Sequence, residues 1–168
     1  MLYEITVPYF IKTLHNLENV LEKGAKFAES KKIDMDVLLN SRLAPDQFPL
    51  ARQIQIACDT AKLAAFRLTE KTAPTHPDTE KTYADFQERI KSTIQYLESL
   101  SAADFKDSET KKITTPRWEG QWVTGAEFIS HHALPNLYFH VTTAYSILRH
   151  NGVEVGKKDY LGPMPFKK

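Results

Sequence analysis

The sequence lacks several features that would identify its function directly. It has one cysteine, Cys58, which excludes a disulfide within the chain. No apolar run approaches the ~20 residues that a helix needs to cross a bilayer. The N-terminal residues have neither the basic start nor the apolar core of a signal peptide. No glycine-rich phosphate loop, zinc-knuckle spacing or internal repeat is present. These absences favour a cytoplasmic protein without a membrane partner.

The chain also lacks an excess of charge of either sign. It contains 22 Lys+Arg and 21 Asp+Glu residues. A balance so near neutrality gives no general electrostatic reason to bind nucleic acid or an acidic membrane, so neither is expected as a partner. Its 168 residues, of which 42% are hydrophobic, suit a single globular domain spanning residues 1–168.

Apolar residues recur at helical spacing in four long segments. The spacing predicts helices at about 7–31, 49–71, 80–100 and 124–151. Pro8 and Pro49 each suit a first helical turn, where the missing N–H costs nothing. A short helix is expected at 34–40, and the residues after 152 are expected to lie along the bundle as an extended strap.

Residues 111–123 differ from the rest because they are rich in β-forming residues. Glu119-Gly120 is suited to a turn, which predicts a short hairpin. Pro116 restricts the strand before it to an edge or a bulge. The whole pattern predicts an all-α protein, an antiparallel four-helix bundle with a β-hairpin insert before the last helix.

The last predicted helix carries a cluster of histidines. His132, Asn136 and His140 are spaced i, i+4, i+8, so they share one face of a regular helix. Pro135 lies between them and should kink or break the helix, because it removes the hydrogen bond to the carbonyl of His131. We expect His140 to face the bundle with polar partners, since each unmet buried polar group costs ~1–3 kcal/mol.

The second predicted helix offers such partners. Gln55, Asp59 and Lys62 form a polar stripe, which usually faces solvent but supplies polar groups to a site when it is turned inward. Cys58, in the same helix, is interpreted as a small buried hydrophobe rather than a nucleophile. His76, which lies between two prolines, is predicted to be exposed to solvent.

Two blocks of sequence resemble a known bacterial family. They are residues 44–59, APDQFPLARQIQIACD, and residues 132–159, including YFHVTTAY and LRHNGVE. Both resemble the DUF1993 family of domains of unknown function, one of the DinB/YfiT-like families of metalloenzymes. The resemblance covers nearly the whole chain and implies a four-helix bundle that is often dimeric. In the wider superfamily, one histidine of the second helix and two of the last bind a divalent metal, and members include thiol-dependent transferases and hydrolase-like enzymes.

The metal ligands implied by this resemblance are only partly present. His140 matches the last metal histidine, but the residue four positions earlier is Asn136, and the second helix contains no histidine. His132 and Asp59 are the remaining candidates. Together with His140 they would suit Zn, Ni or Fe, because imidazole and carboxylate groups bind these metals. The other polar residues expected around the pocket are Asn136, Gln53, Gln55, Tyr138 and Tyr145.

Two functions are therefore open. In the first, the protein is a metal-dependent enzyme of hydrolase or thiol-transferase type, in which Tyr138, Tyr145 or Asp59 moves protons. In the second, it is a non-catalytic bundle that binds a small molecule or stabilises a partner. His132, Asn136, His140, Gln55 and Asp59 then form a hydrogen-bonded network without metal. A homodimer is expected in both cases.

Overall fold

A computed structural model describes residues 2–167, and it confirms the predicted helical bundle with a small β insert. The elements are α1 (Leu2–Lys31), α2 (Met35–Leu39), α3 (Leu50–Thr69), α4 (Tyr83–Glu98), β1 (Lys112–Ile113), β2 (Val123–Thr124), α5 (Gly125–Phe128), α6 (Leu134–His150) and α7 (Lys157–Leu161). A π-helical turn, Ile129–Ala133, joins α5 to α6. Within residues 2–167, no helix is both long and apolar enough to cross a membrane.

The bundle consists of α1, α3, α4 and α6, and each helix buries an apolar face. α3 packs against both α4 and α6, and α1 also packs against both. Phe10 of α1, Ile54 of α3 and Ile90 of α4 are completely buried. Removal of such surface from water stabilises the fold by about 25 cal/mol per Å² of apolar area. Because α3 lies between α4 and α6, its polar side chains reach both neighbours.

α1 begins earlier than predicted. Its first residue is Leu2, so Pro8 lies inside the helix and the prediction that Pro8 marks the first turn was wrong. Burial stabilises the turns before Pro8, since Leu2 and Val7 are buried and the ring of Tyr3 meets that of Phe105 edge-on at 5.6 Å. Packing of this amphipathic face outweighs the hydrogen bond that Pro8 removes.

α4 begins slightly later than predicted because its N-cap is Thr82. The hydroxyl of Thr82 accepts a hydrogen bond from the Asp85 N–H at 3.3 Å, and the Asp85 carboxylate accepts one from the Thr82 N–H at 2.8 Å. This reciprocal pair is a capping box with Asp in place of the usual Glu. Residues 70–82 therefore form a long loop between α3 and α4, which we call the 70–82 loop.

The predicted hairpin is present but short. β1 and β2 pair antiparallel, with Lys112 opposite Thr124 and Ile113 opposite Val123. The ring of Trp118, between the strands, packs edge-on against Phe128 at 6.1 Å. This contact attaches the insert to α5.

The C-terminal residues lie along the bundle, as predicted, but five of them form α7 rather than an extended strap. The Asp159 carboxylate accepts a hydrogen bond from the Gly156 N–H at 2.8 Å, which supports the first turn of α7. Asn16 of α1 donates to the carbonyl of Tyr160 at 2.9 Å, and Lys23 pairs with Asp159 at 2.7 Å. These contacts hold α7 against α1.

Gly125, at the start of α5, has no room for a side chain. A Cβ at this position would overlap the carbonyl oxygen of Ser108. We expect Gly125→Ala to lower the free energy of unfolding by at least about 2 kcal/mol, because the backbone must shift to relieve the overlap. Urea denaturation measures the change. Gly156→Ala is the control, since a Cβ there meets no atom within 4 Å; equal losses in the two variants would contradict this packing.

Candidate functional site

His140 is buried where α6 packs against α3. Only 7% of its surface is exposed, and its Nδ1 lies 2.7 Å from Oε1 of Gln53. The Gln53 amide is itself oriented, because its Nε2 donates to the carbonyl of Phe48 at 2.9 Å. An amide oxygen only accepts hydrogen bonds, so Nδ1 of His140 carries the ring proton and donates it to Gln53.

The imidazole of His140 is therefore neutral, with an unprotonated Nε2. Burial and, to a lesser extent, the charge of Arg52 lower the pKa of His140 from 6.5 to about 4. Among residues 2–167, no hydrogen-bond partner reaches Nε2. The ring of Phe139 meets the imidazole edge-on at 5.2 Å between centroids. His140 thus presents one free acceptor beside an aromatic side chain.

A second hydrogen bond joins the same two helices. Nδ2 of Asn136, one turn before His140, donates to the Thr60 hydroxyl at 2.7 Å. Gln53 and Thr60 are seven residues apart on α3, so they lie on the same face and meet α6 two turns apart. Asn136 and Gln53, which were both expected around the pocket, lie at this interface of α3 and α6, and their role in a functional site stays a prediction. Thr60 was missed, although its spacing from Gln53 was a usable signal.

The predicted metal ligands His132, His140 and Asp59 are not brought together. His132 stacks on the ring of Phe128 at 5.4 Å and meets Trp118 edge-on at 5.6 Å. Asp59 faces α4, on the other side of α3 from Gln53 and His140. In the part of the chain that the structure describes, no three His, Cys, Asp or Glu side chains form a group that could hold a metal ion.

The π-helical turn explains the position of His132. The Leu134 N–H donates to the carbonyl of Ile129, five residues earlier, and Pro135 follows without an N–H of its own. The predicted irregularity at Pro135 is thus confirmed. A π turn contains one residue more than an α turn, so His132 is rotated away from the face that Asn136 and His140 share.

The polar stripe of α3 turns inward, but towards α4 rather than towards His140. The guanidinium of Arg89, only 2% exposed, donates to Asp59 at 2.8 Å, Asp78 at 3.0 Å and Glu80 at 2.7 Å. Gln55 donates to the other carboxylate oxygen of Glu80 at 2.9 Å. A buried guanidinium is costly unless it is paired, so this carboxylate cage holds the 70–82 loop against α3 and α4.

The cage continues to His76. This residue is half-buried, so the prediction that it is exposed to solvent was wrong. Lys62, only 4% exposed, lies 3.0 Å from Asp59 and 2.9 Å from Nδ1 of His76. Since an ammonium group only donates, Nδ1 accepts and Nε2 carries the proton, which it donates to the Ser92 hydroxyl at 3.0 Å. In this tautomer His76 has no lone pair for the Ser92 proton, so the two do not form a nucleophile and its base.

The other candidate residues have structural surroundings. Cys58 is completely buried, and burial raises the pKa of its thiol to about 12, which agrees with its interpretation as a small hydrophobe. Tyr145 packs edge-on against Tyr160 of α7 at 6.1 Å. Tyr138 is exposed at the surface, but partial burial, and then the neighbouring Tyr160 and Tyr9 of α1, raise the pKa of its hydroxyl. Both predicted tyrosines thus lie on the side of α6 that faces α1 and α7.

The neutral state of His140 should make the fold less stable in acid. Its pKa is about 4 in the folded chain, against an ordinary value of 6.5. Between these values the unfolded chain binds more protons, so the free energy of unfolding falls as pH drops from about 6.5 to about 4. In this range His140 should contribute up to about 1.4 kcal/mol per pH unit to the slope of the unfolding free energy against pH. We expect His140→Gln to lack this contribution, as measured by urea denaturation at each pH.

His15→Gln is the control for this measurement. His15 is exposed on α1, and its ring has only Glu18 as a hydrogen-bond partner in the described part of the chain. The control should keep the slope of the parent protein. The same slope in His140→Gln would show that His140 is not held neutral by burial.

The chain has clear relatives of known structure. A family model described as a domain of unknown function, DUF1993, matches residues 2–161. A crystal structure of a DinB family member protein from Shewanella denitrificans is 60% identical to the chain, with a TM-score of 0.96. The match covers 100% of this chain and 96% of that one. No functionally curated protein shows a significant match.

Proposed function

Since this chain belongs to the DUF1993 family and has the fold of a DinB family member, we propose that it is a metal-independent binding protein with its site at His140. Its ligand is a small molecule that donates a hydrogen bond to Nε2 of His140. The proposal rests on one observation. Oε1 of Gln53 lies 2.7 Å from Nδ1 of His140 and accepts a hydrogen bond from it. This leaves Nε2 as an acceptor of fixed orientation in a neutral ring.

The neighbouring side chains favour a ligand with an aromatic or apolar body. Phe48 and Phe139 are 55% and 58% exposed, although large apolar side chains are usually buried. The carbonyl of Phe48 anchors the Gln53 amide, and the ring of Phe139 touches His140. Arg52 lies over the Phe48 ring at 5.9 Å. Aromatic surface around one oriented polar group is typical of small-molecule sites.

The donor set at this site does not fit a three-ligand metal centre. Of the positions that correspond to metal ligands in the wider superfamily, only His140 keeps a histidine. Asn136 uses its amide to bind Thr60, and α3 offers the amide of Gln53. Amide side chains are poor ligands for Zn, Ni or Fe.

A metal-dependent enzyme is the second candidate because of a single feature. A histidine whose Nδ1–H is held by an oxygen atom, as Gln53 holds His140, has the orientation that metal-binding histidines usually have. One such histidine is fewer than the three protein ligands of a catalytic zinc site. We therefore rank this function below metal-independent binding.

Metal analysis separates the two candidates. Protein purified without a histidine tag is expected to contain well below one equivalent of Zn, Ni and Fe by inductively coupled plasma mass spectrometry. His140→Ala should not change that content, because the site has a single metal-type ligand. One full equivalent that is lost in His140→Ala would favour the enzyme and contradict our proposal.

Phenol is a suitable probe of the binding site because it combines an aromatic ring with an O–H donor. In NMR titrations we expect phenol to shift the backbone amide signals of residues 53 and 139–141 in the parent protein. His140→Ala should abolish these shifts, whereas the exposed-site control His15→Ala should retain them, since His15 has no part in the site. Shifts that persist in His140→Ala, or that are absent from the parent protein, would contradict a binding role for Nε2.

We also propose the homodimer that the resemblance implies. Its support is an exposed apolar surface on α1 and α6, where Ile5, Tyr9 and Tyr138 are 42%, 51% and 39% exposed. Light scattering should give twice the chain mass of 19.2 kDa at micromolar concentration. A constant monomer mass through a dilution series would contradict the dimer.

The cytoplasmic location also stays a prediction.

A further inference from the structure

The 70–82 loop is attached to the bundle at three points. At one end, the Tyr96 hydroxyl donates to the carbonyl of Lys71 at 2.8 Å. At the other end, Asp78 and Glu80 bind the buried guanidinium of Arg89. Between them, the ring of His76 bridges Lys62 of α3 and Ser92 of α4. We propose that His76 is a latch that holds the middle of the 70–82 loop closed at neutral pH and releases it in acid.

The closed latch requires a neutral imidazole of defined tautomer. Nδ1 must accept from the Lys62 ammonium at 2.9 Å while Nε2–H donates to the Ser92 hydroxyl at 3.0 Å. The charged and polar groups that face the ring are Lys62 and Asp59 from α3, Arg89 and Ser92 from α4, and Glu80 from the loop. This set has two cations and two carboxylates, of which Lys62 alone contacts Nδ1.

Protonation of His76 turns its attractive contact with Lys62 into a repulsive one. It removes the lone pair that accepts from Lys62 and places a second cation 2.9 Å from the ammonium. Like charges this close repel each other, and more strongly near a protein interior than in bulk water. Burial, and then the charges of Lys62 and Arg89, already lower the pKa of His76 from its ordinary 6.5. The closed loop thus binds a proton less readily than the open loop.

The outer attachments of the loop persist in the same pH range. The hydrogen bond from Tyr96 to the carbonyl of Lys71 involves no group that titrates there. At the other end, the carboxylates of Asp78 and Glu80 keep their charges. Burial raises the pKa of Asp78, but hydrogen bonds from Arg52 and Arg89 outweigh it, so the pKa is lowered. Burial also raises the pKa of Glu80, but hydrogen bonds from Arg89 and Gln55 outweigh this effect, so its pKa is lowered as well. Both carboxylates therefore stay ionised down to about pH 5, above their ordinary values. Acid should free residues 72–77 and leave the ends of the loop attached.

The expected pH dependence follows from proton linkage. When the closed latch is neutral and the open latch is protonated, each unit by which the pH falls raises the opening constant up to tenfold. This rise begins near the ordinary histidine pKa of about 6.5 and ends at the lower pKa of the closed state. Above that range the loop stays closed, with no further dependence on pH from His76.

Pulsed proteolysis of the full chain tests the latch. Proteinase K is applied from about pH 7.5 to about pH 5, a range that contains the ordinary histidine pKa. Each cleavage rate is divided by that of an unstructured peptide at the same pH, and mass spectrometry locates the cut. We expect cleavage within residues 72–77 to increase by up to tenfold per pH unit. His76→Gln should remove this increase, since a glutamine does not titrate.

The control and the contrary outcomes are equally defined. His15→Gln replaces an exposed histidine outside the latch and should behave as the parent protein does. The proposal would be overturned if the cleavage rate of the parent protein did not change with pH, or if it increased equally in His76→Gln. It would also be overturned if the cuts were spread equally over the helices.

A second measurement needs no variant. In protein with ¹⁵N-labelled histidine, the ring proton of His76 should lie on Nε2 at neutral pH, and the ring should titrate below 6.5, its ordinary value. A proton on Nδ1, or titration at or above that value, would overturn the latch even if His76→Gln failed to fold.

Discussion

Three polar side chains of α3 are buried, and each must find a hydrogen-bond partner on a neighbouring segment. Gln53 is 1% exposed, Gln55 7% and Lys62 4%. An unmet polar group of this kind costs ~1–3 kcal/mol. Gln53 binds His140 of α6, whereas Gln55 and Lys62 bind Glu80 and His76 of the 70–82 loop. The position of α3 between two helices therefore determines both the candidate site and the attachment of the loop.

The chemistry at His140 depends on the amide of Gln53. An amide oxygen accepts a hydrogen bond from Nδ1–H without bringing a negative charge to the site. Because no negative charge would compensate for the burial of a charged imidazolium, the ring stays neutral. Asn136 is occupied by Thr60 and supplies no second metal ligand. The chain keeps the fold of a DinB family member, but its buried polar groups form side-chain hydrogen bonds, which suits recognition of a hydrogen-bond donor.

Helical spacing predicted the main helices because burial of apolar faces stabilises them. It also put Asn136 and His140 on one face of the last helix, and both contact α3. Their expected partners from the polar stripe of α3 were Gln55 and Asp59, whereas the observed partners are Thr60 and Gln53. The same reasoning failed for His132, because a π turn inserts one residue and Pro135 marks only its approximate place. The carboxylate cage was missed for a different reason: Arg89 meets Asp59, Asp78 and Glu80 through tertiary packing, and local spacing carries no signal for such contacts.

The tautomer of His140 in solution tests the metal-independent site most directly. Long-range ¹H–¹⁵N correlation spectra of untagged, histidine-labelled protein at neutral pH report which ring nitrogen carries the proton. We expect a protonated Nδ1 and an unprotonated Nε2, with signals that do not change when a chelator is added. A protonated Nε2, or an Nε2 signal that shifts on chelation, would contradict the proposal that His140 is a free hydrogen-bond acceptor.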